Sequence, residues 1–289
     1  MATKKRNEVF SEEKLSMQDV MKSSSKKKFE EEFGFEIPTE IVPLPSKGLV
    51  YSSEHALQGK DFVEINSMTA REEDILTSRA LIKKGTVITQ VIRSCITNKS
   101  IDVNSLLSGD KNALMIAIRI TGYGSDYGVE IACPSCDEKF KNTFDLNELP
   151  IRNFNIEPVN AGENLFSFML PKIQKEVLFK FLTGNDEEEL SRATERKKKV
   201  LGSDMADSNV TARLINSVYS FNGITDKGKI AQVIRNLPAF DSLALREYID
   251  DNEPGVQMLQ YATCPHCGEE SEVNIPLGVE FFWLRSSRK

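Results

Sequence analysis

Four of the five cysteines in the 289-residue sequence fall into two Cys-Pro-x-Cys pairs, Cys133-Pro-Ser-Cys136 and Cys264-Pro-His-Cys267. Thiolates at this spacing ligate soft, tetrahedral metals, and two such knuckles face to face supply the closed four-sulfur shell of a zinc ribbon. The flanks correspond in part: counted from the second cysteine of each pair, Phe144 falls on Ile275 and Leu146 on Leu277, while Phe140 falls on Ser271. Each segment reads as strand, knuckle, strand. Cys133, Cys136, Cys264 and Cys267 are therefore the expected ligands of one structural zinc ion. Three other readings compete. A redox dithiol needs a CxxC that opens a helix inside a βαβ unit, and neither pair has that setting. A catalytic zinc needs an open coordination position; four cysteines close the shell, and His266, inside the second knuckle, falls beside the metal or on the surface. The third is a site that has degenerated or that pairs with another chain.

The distance between the pairs is unusual. Between Cys136 and Cys264 lie 127 residues, where a simple ribbon has fewer than about 20. Closing a flexible loop of that size costs about 4 kcal/mol plus a constant, against roughly 10–16 kcal/mol of apparent free energy for structural zinc. An insertion that folds as its own helical unit with its ends together has already lost most of that entropy, and the metal then ties two halves of the chain. The fifth cysteine, Cys95, shares a helical face with Val87, Ile88, Val91 and Ile92, where a thiol reads as a small buried hydrophobe.

The elements that position these cysteines can be followed along the chain. Residues 1 to about 35 mix serines with charge blocks and offer too little burial to offset chain entropy, so a flexible arm is expected over 1–36; Phe29, Phe33 and Phe35 would anchor it if it orders on a partner. Pro38, Pro43 and Pro45 impose extended geometry, Pro45-Ser46-Lys47-Gly48 reads as a turn, and Phe62, Val63 and Ile65 as a short strand. Thr69 and Glu72 form a capping box ahead of a helix with Ile75, Leu76 and Ile82 inward. Gly85 ends that helix and Thr86 can cap the next. A third helix runs from Asp110, its N-cap candidate, to Gly122. From Tyr127 the period changes to two, through Val129, Ile131, Phe140 and Phe144, as in a hairpin bent round the first knuckle. Helical spacing returns at Val177, Leu178, Phe181 and Leu182. In DEEELSRATERKKKV acids precede bases, as the helix dipole favours, and further helices are expected at about 208–221, 228–236 and 241–250. The expectation is an α+β, helix-rich fold. It has an N-terminal α+β unit at 37–125, a discontinuous zinc ribbon with C-terminal segment at 126–149 and 256–285, and a mainly helical insertion at 150–255.

Composition narrows the function. Lys and Arg total 37 against 43 Asp and Glu, a net charge of -6, so no global cationic surface exists to hold phosphates, and nucleic acid is disfavoured as a partner. No window reaches the ~20 apolar residues of a membrane span, and no secretory leader is visible, which places the thiols in a reducing cytosol. Phosphate loops, nucleophile elbows and H-E-x-x-H helices are absent. Only His55 and His266 could serve as general bases near neutral pH. No enzyme and no small-molecule substrate is expected.

Several stretches together resemble a known family. PLPSKGLVY, MTAREEDILTSRALIKKGTVI, LLSGDKNALMIAIRITGYGSDY and VEIACPSCDEKF, with the C-terminal CPHCGEESEVNIPLGVEFFWL, are similar to the T-even-type bacteriophage baseplate hub proteins over about residues 38–285. The resemblance implies a non-enzymatic structural or assembly protein of a contractile tail, either hub subunit or hub assembly factor. Its partners would be other phage baseplate or tail proteins, encountered in the host cytoplasm during assembly and in the virion baseplate. A chaperone absent from the mature virion and a zinc-ribbon nucleic-acid-binding regulator are the alternatives. The terminal VEFFWL reads as part of the chain's own core, with an aromatic plug for a partner as the other option.

Overall fold

Three prolines early in the ordered region set extended backbone, and the first strand follows from them. The structure is a computed structural model and describes residues 34–201 and 209–282; the expected arm at 1–36 falls almost wholly outside these residues, as do Trp283 and Leu284. Contacts divide the chain into Met1–Pro38 and Thr39–Lys289, and all elements below belong to the second unit. β1 (Thr39–Pro43) pairs antiparallel with β2 (Phe62–Asn66), Val42 opposite Val63. The Pro45–Gly48 turn lies between them. Gly48 has φ +67, and a Cβ there would sit 2.4 Å from the Leu57 carbonyl oxygen, so only glycine fits.

Three helices follow. Thr69 and Glu72 form the expected capping box at the start of α1 (Ala70–Thr77). Burial pushes the Glu72 carboxyl up, but hydrogen bonds from Ser94 and Thr69 outweigh it and hold the group below its ordinary value. Ser78 then takes extended geometry and splits the expected single helix, so α2 (Arg79–Lys84) turns away and Ile82 is 44% exposed rather than inward. Gly85 ends α2 in the left-handed conformation. α3 (Val87–Cys95) buries Val87, Val91, Ile92 and Cys95, although Thr86 makes no side-chain cap. Burial pushes the Cys95 thiol up to about 12, which makes it an inert core group.

The third long helix, α4, spans Ser108–Tyr123, which corrects both expected ends. Asp110 is no N-cap: it lies inside the first turn, fully buried. Its carboxylate accepts from the Ser46 amide at 3.0 Å, the Ser46 hydroxyl at 2.5 Å and the Tyr51 hydroxyl at 2.6 Å. It therefore holds the Pro45–Gly48 turn instead of its own helix end. Gly122 is helical and faces Met68, and Gly124, at φ +83, is the stop.

β3 (Asp126–Ala132) and β4 (Lys139–Asp145) form the first hairpin, followed by β5 (Ile151–Arg152). The segment expected to be helical around Val177 is a strand. β6 (Phe166–Met169), β7 (Glu176–Phe179) and β8 (Val218–Phe221) make a three-stranded antiparallel sheet in the order β6-β7-β8. Val177, Phe179 and Phe181 are all buried, a period of two that competed with the helical reading in the same residues. Helices α5 (Gly184–Leu201) and α6 (Asn209–Ser217) lie between β7 and β8 in the chain, and α7 (Lys227–Arg235) and α8 (Ala239–Asn252) follow β8. The helix expected at 208–221 ends at Ser217, where β8 begins. Region 150–255 is thus helical with a sheet inside it.

β9 (Gly255–Val256) pairs with β5, Ile151 opposite Val256 and Arg152 opposite Gly255, and the Gln257 amide donates to the Pro150 carbonyl at 2.8 Å. The ends of the 150–255 stretch are therefore stitched to each other. β10 (Leu259–Thr263) and β11 (Glu270–Asn274) form the second hairpin, and a short 3-10 turn covers Val279–Phe282. One hydrophobic cluster runs from Val42 to Phe282. Phe281 and Phe282 are buried in it, so this part of VEFFWL belongs to the chain's own core.

Candidate metal centre

Each knuckle is shaped by its backbone before any metal is considered. In the first, the Cys133 amide donates to the Glu138 carbonyl at 3.0 Å and the Asp137 amide returns to the Cys133 carbonyl at 3.0 Å. In the second, the Cys264 amide donates to Glu269 at 2.8 Å and the Gly268 amide to Cys264 at 2.9 Å. Asp137 and Gly268, at the same position after their pairs, both take positive φ, 58° and 76°. The strands enter in matching register, with Ala132 opposite Lys139 and Thr263 opposite Glu270. The alignment of Phe144 with Ile275 holds, since both are buried, and Ser271 occupies the buried place of Phe140.

The structure brings all four sequence-identified thiols together. Their Sγ atoms lie within 4.8 Å of one another, with Cys133 to Cys267 at 3.6 Å and Cys136 to Cys264 at 3.8 Å. These contacts join opposite knuckles. A zinc ion bound to four thiolates at about 2.3 Å has sulfur–sulfur edges of about 3.8 Å, so the spacing fits such an ion. It is far too long for a disulfide, whose sulfurs lie about 2.05 Å apart.

Among the four thiols themselves the electrostatics are divided. Amides of Cys136 and Ser135 donate to the Cys133 sulfur and pull its thiol down to about 7. At Cys136 the Glu138 amide also pulls downward, but burial and the three neighbouring thiols prevail and push it up. Four sulfurs this close can all be thiolates only with a cation among them, which inverts the balance. His266 brings no ligand to the cluster. A shell of four cysteines around one ion would leave no open position for substrate.

One other pairing could suggest chemistry and does not support it. His55 Nε2 lies 2.8 Å from the Ser105 hydroxyl, but His55 Nδ1 accepts from the Leu57 amide at 3.1 Å. The neutral ring therefore carries its proton on Nε2 and cannot take one from Ser105, whose hydroxyl donates to the Asp102 carbonyl at 2.7 Å. Burial lowers the His55 pKa further. No described helix is long and apolar enough to cross a membrane.

The chain is thus a mixed helix-and-sheet protein in which four cysteine thiols from two remote hairpins lie close together. The chain belongs to the family described as T4 bacteriophage base plate protein, whose model matches residues 50–283. It therefore has a structural or assembly role in a phage baseplate. No curated protein matches the chain, and no solved structure does.

Proposed function

We propose that the protein builds or assembles the central hub of a contractile-tail baseplate, without catalysis, and that one zinc ion held by Cys133, Cys136, Cys264 and Cys267 fixes its fold. The match of 50–283 to a baseplate family carries the first part; the fit of the four sulfurs to a tetrahedral shell supports the second. The zinc acts on the chain rather than on a substrate. It joins two hairpins whose nearest cysteines are 128 positions apart, after the β5–β9 ladder has already drawn them together. Other tail and baseplate proteins are the partners, met in the host cytoplasm and retained in the virion baseplate. Quantitative mass spectrometry of purified virions and of isolated hubs tests this: a fixed copy number in the hub is expected, and absence from particles would convert the subunit reading into that of a departing chaperone. Elemental analysis of protein purified without added metal should return about one zinc per chain.

A further inference from the structure

Only one edge of strand β1 is used. The Leu44 amide donates to the Asp61 carbonyl at 2.8 Å, and carrying that alternation back through the register makes Val42–Val63 and Glu40–Ile65 hydrogen-bonded pairs, with Pro43–Phe62, Ile41–Glu64 and Thr39–Asn66 the non-bonded pairs between them. Main-chain groups in the non-bonded pairs point away from the facing strand. On the β2 side they find a partner, since the Glu64 carbonyl accepts from the Thr97 amide at 3.0 Å. On the β1 side, the amides of Thr39 and Ile41 and the carbonyls of Thr39, Ile41 and Pro43 make no hydrogen bond among the described residues.

An edge of this kind is a template for another strand unless lysine, a bulge or a covering element blunts it. β1 has no lysine and no register break, and Thr39, Glu40, Ile41 and Pro43 are all exposed. Ile41, 68% exposed, and its diagonal neighbour Phe62, 49% exposed, add an apolar strip to the outer face. Charge then selects among occupants. The charged residues of β1 and β2 are Glu40 and Glu64, neither in an ion pair among the described residues. Lys47 and Lys60 belong to the loop beyond the far end of the ribbon, past Pro43 and Phe62. A second copy of β1, set antiparallel about Ile41, would place the two Glu40 side chains diagonally on one face and bring no base to either. A foreign strand carrying a base at that position meets no such repulsion.

We propose that the open edge of β1 takes an extended strand of another protein, antiparallel, with an apolar residue facing Ile41 and a lysine or arginine facing Glu40. Main-chain hydrogen bonds supply the affinity, and the alternate side chains choose the sequence. Only the assignment of that protein to the phage tail rests on the baseplate reading.

The test is an NMR titration of the full chain with the peptide acetyl-SVTIKTS-amide, whose isoleucine faces Ile41 and whose lysine faces Glu40 in the antiparallel register. Saturable shifts confined to the amides of 39–42 and 62–66, with an about millimolar Kd, are expected, and acetyl-SVTIETS-amide should bind about threefold more weakly. Glu40→Lys, a change at an exposed side chain, should reverse that preference. Ile41→Pro removes an amide that lies outside the β1–β2 ladder, so the melting temperature should hold within a few degrees while binding falls at least about fivefold. Absence of saturation, equal affinity for the two peptides in both the parent and Glu40→Lys, or undiminished binding in Ile41→Pro overturns the proposal. A concentration-dependent dimer in sedimentation velocity that Ile41→Pro abolishes assigns the edge to a second copy and overturns the foreign strand. The baseplate reading is tested separately by the virion mass spectrometry and survives each of these outcomes.

Discussion

Hairpins β3–β4 and β10–β11 present their cysteines in matching register, yet the first pairs seven residues on each strand and the second five. Their supports differ more. Beneath the first, the fully buried Arg119 donates to the carbonyls of Phe281, Gly124 and Asp126 at 3.1, 2.7 and 3.3 Å, and Tyr127 packs on the Phe281 ring at 4.9 Å. The inner face of the first hairpin has Tyr127, Ile131, Phe140 and Phe144; that of the second has Ala262 and Ser271, with Ile275 just past its end. The outer faces differ too: Glu130 pairs with Lys139 on the first, whereas Leu259 and Tyr261 are exposed on the second beside Glu270 and Glu272. Two copies of one local geometry thus rest on different foundations, the first on a large aromatic core and the second on a smaller apolar face, so that the proposed zinc matters more to the second.

The largest effects should come from the metal. Cys133→Ser combined with Cys264→Ser should abolish stoichiometric zinc and cost several kcal/mol, part of the roughly 10–16 kcal/mol typical of such sites; normal zinc content in that variant would refute the ligand set. Acid should release the metal, because bound thiolates have depressed folded pKa values and their contribution disappears as pH falls through them. After chelation, amide exchange in 259–274 should accelerate more than in 126–145. Equal acceleration would dissolve the asymmetry.

Next comes Arg119→Ala, which removes the donor to the buried Phe281 carbonyl and to the part-buried carbonyls of Gly124 and Asp126 and should cost about 2–3 kcal/mol in chemical denaturation, loosening the first hairpin before the second. Phe140→Ala should lose about 3 kcal/mol, whereas Ser271→Ala, at the equivalent place, should change stability by about 0.5 kcal/mol at most. The smallest test concerns the two left-handed positions. Gly268→Ala should destabilise by about 1 kcal/mol, and Asp137→Gly should stabilise by a few tenths to about 1 kcal/mol, as read from melting temperatures. Opposite signs are the informative result.

The cysteine cluster was legible because its information is local: ligand type, spacing and flanking alternation all lie within short windows around each pair. The capping box at Thr69, the buried Cys95 and the long charged helix α5 were legible for the same reason. The β6-β7-β8 sheet was not, since KEVLFKFL fits both periods and only pairing with distant strands decides between them. Asp110 illustrates the other limit. An acid near a helix start reads as a cap, but its real donors, Ser46 and Tyr51, lie about sixty positions away.

The stitched but remote arrangement of the knuckles also has a consequence in time. During synthesis at about 5–20 residues per second, the second cysteine pair leaves the ribosome roughly 6 to 25 s after the first. Until then only half a coordination shell exists, too weak to hold an ion against cellular chelators. Capture of an ion at the proposed site would therefore report that the chain has been made at least through Cys267, and products terminated before it would remain unclasped and open to proteolysis.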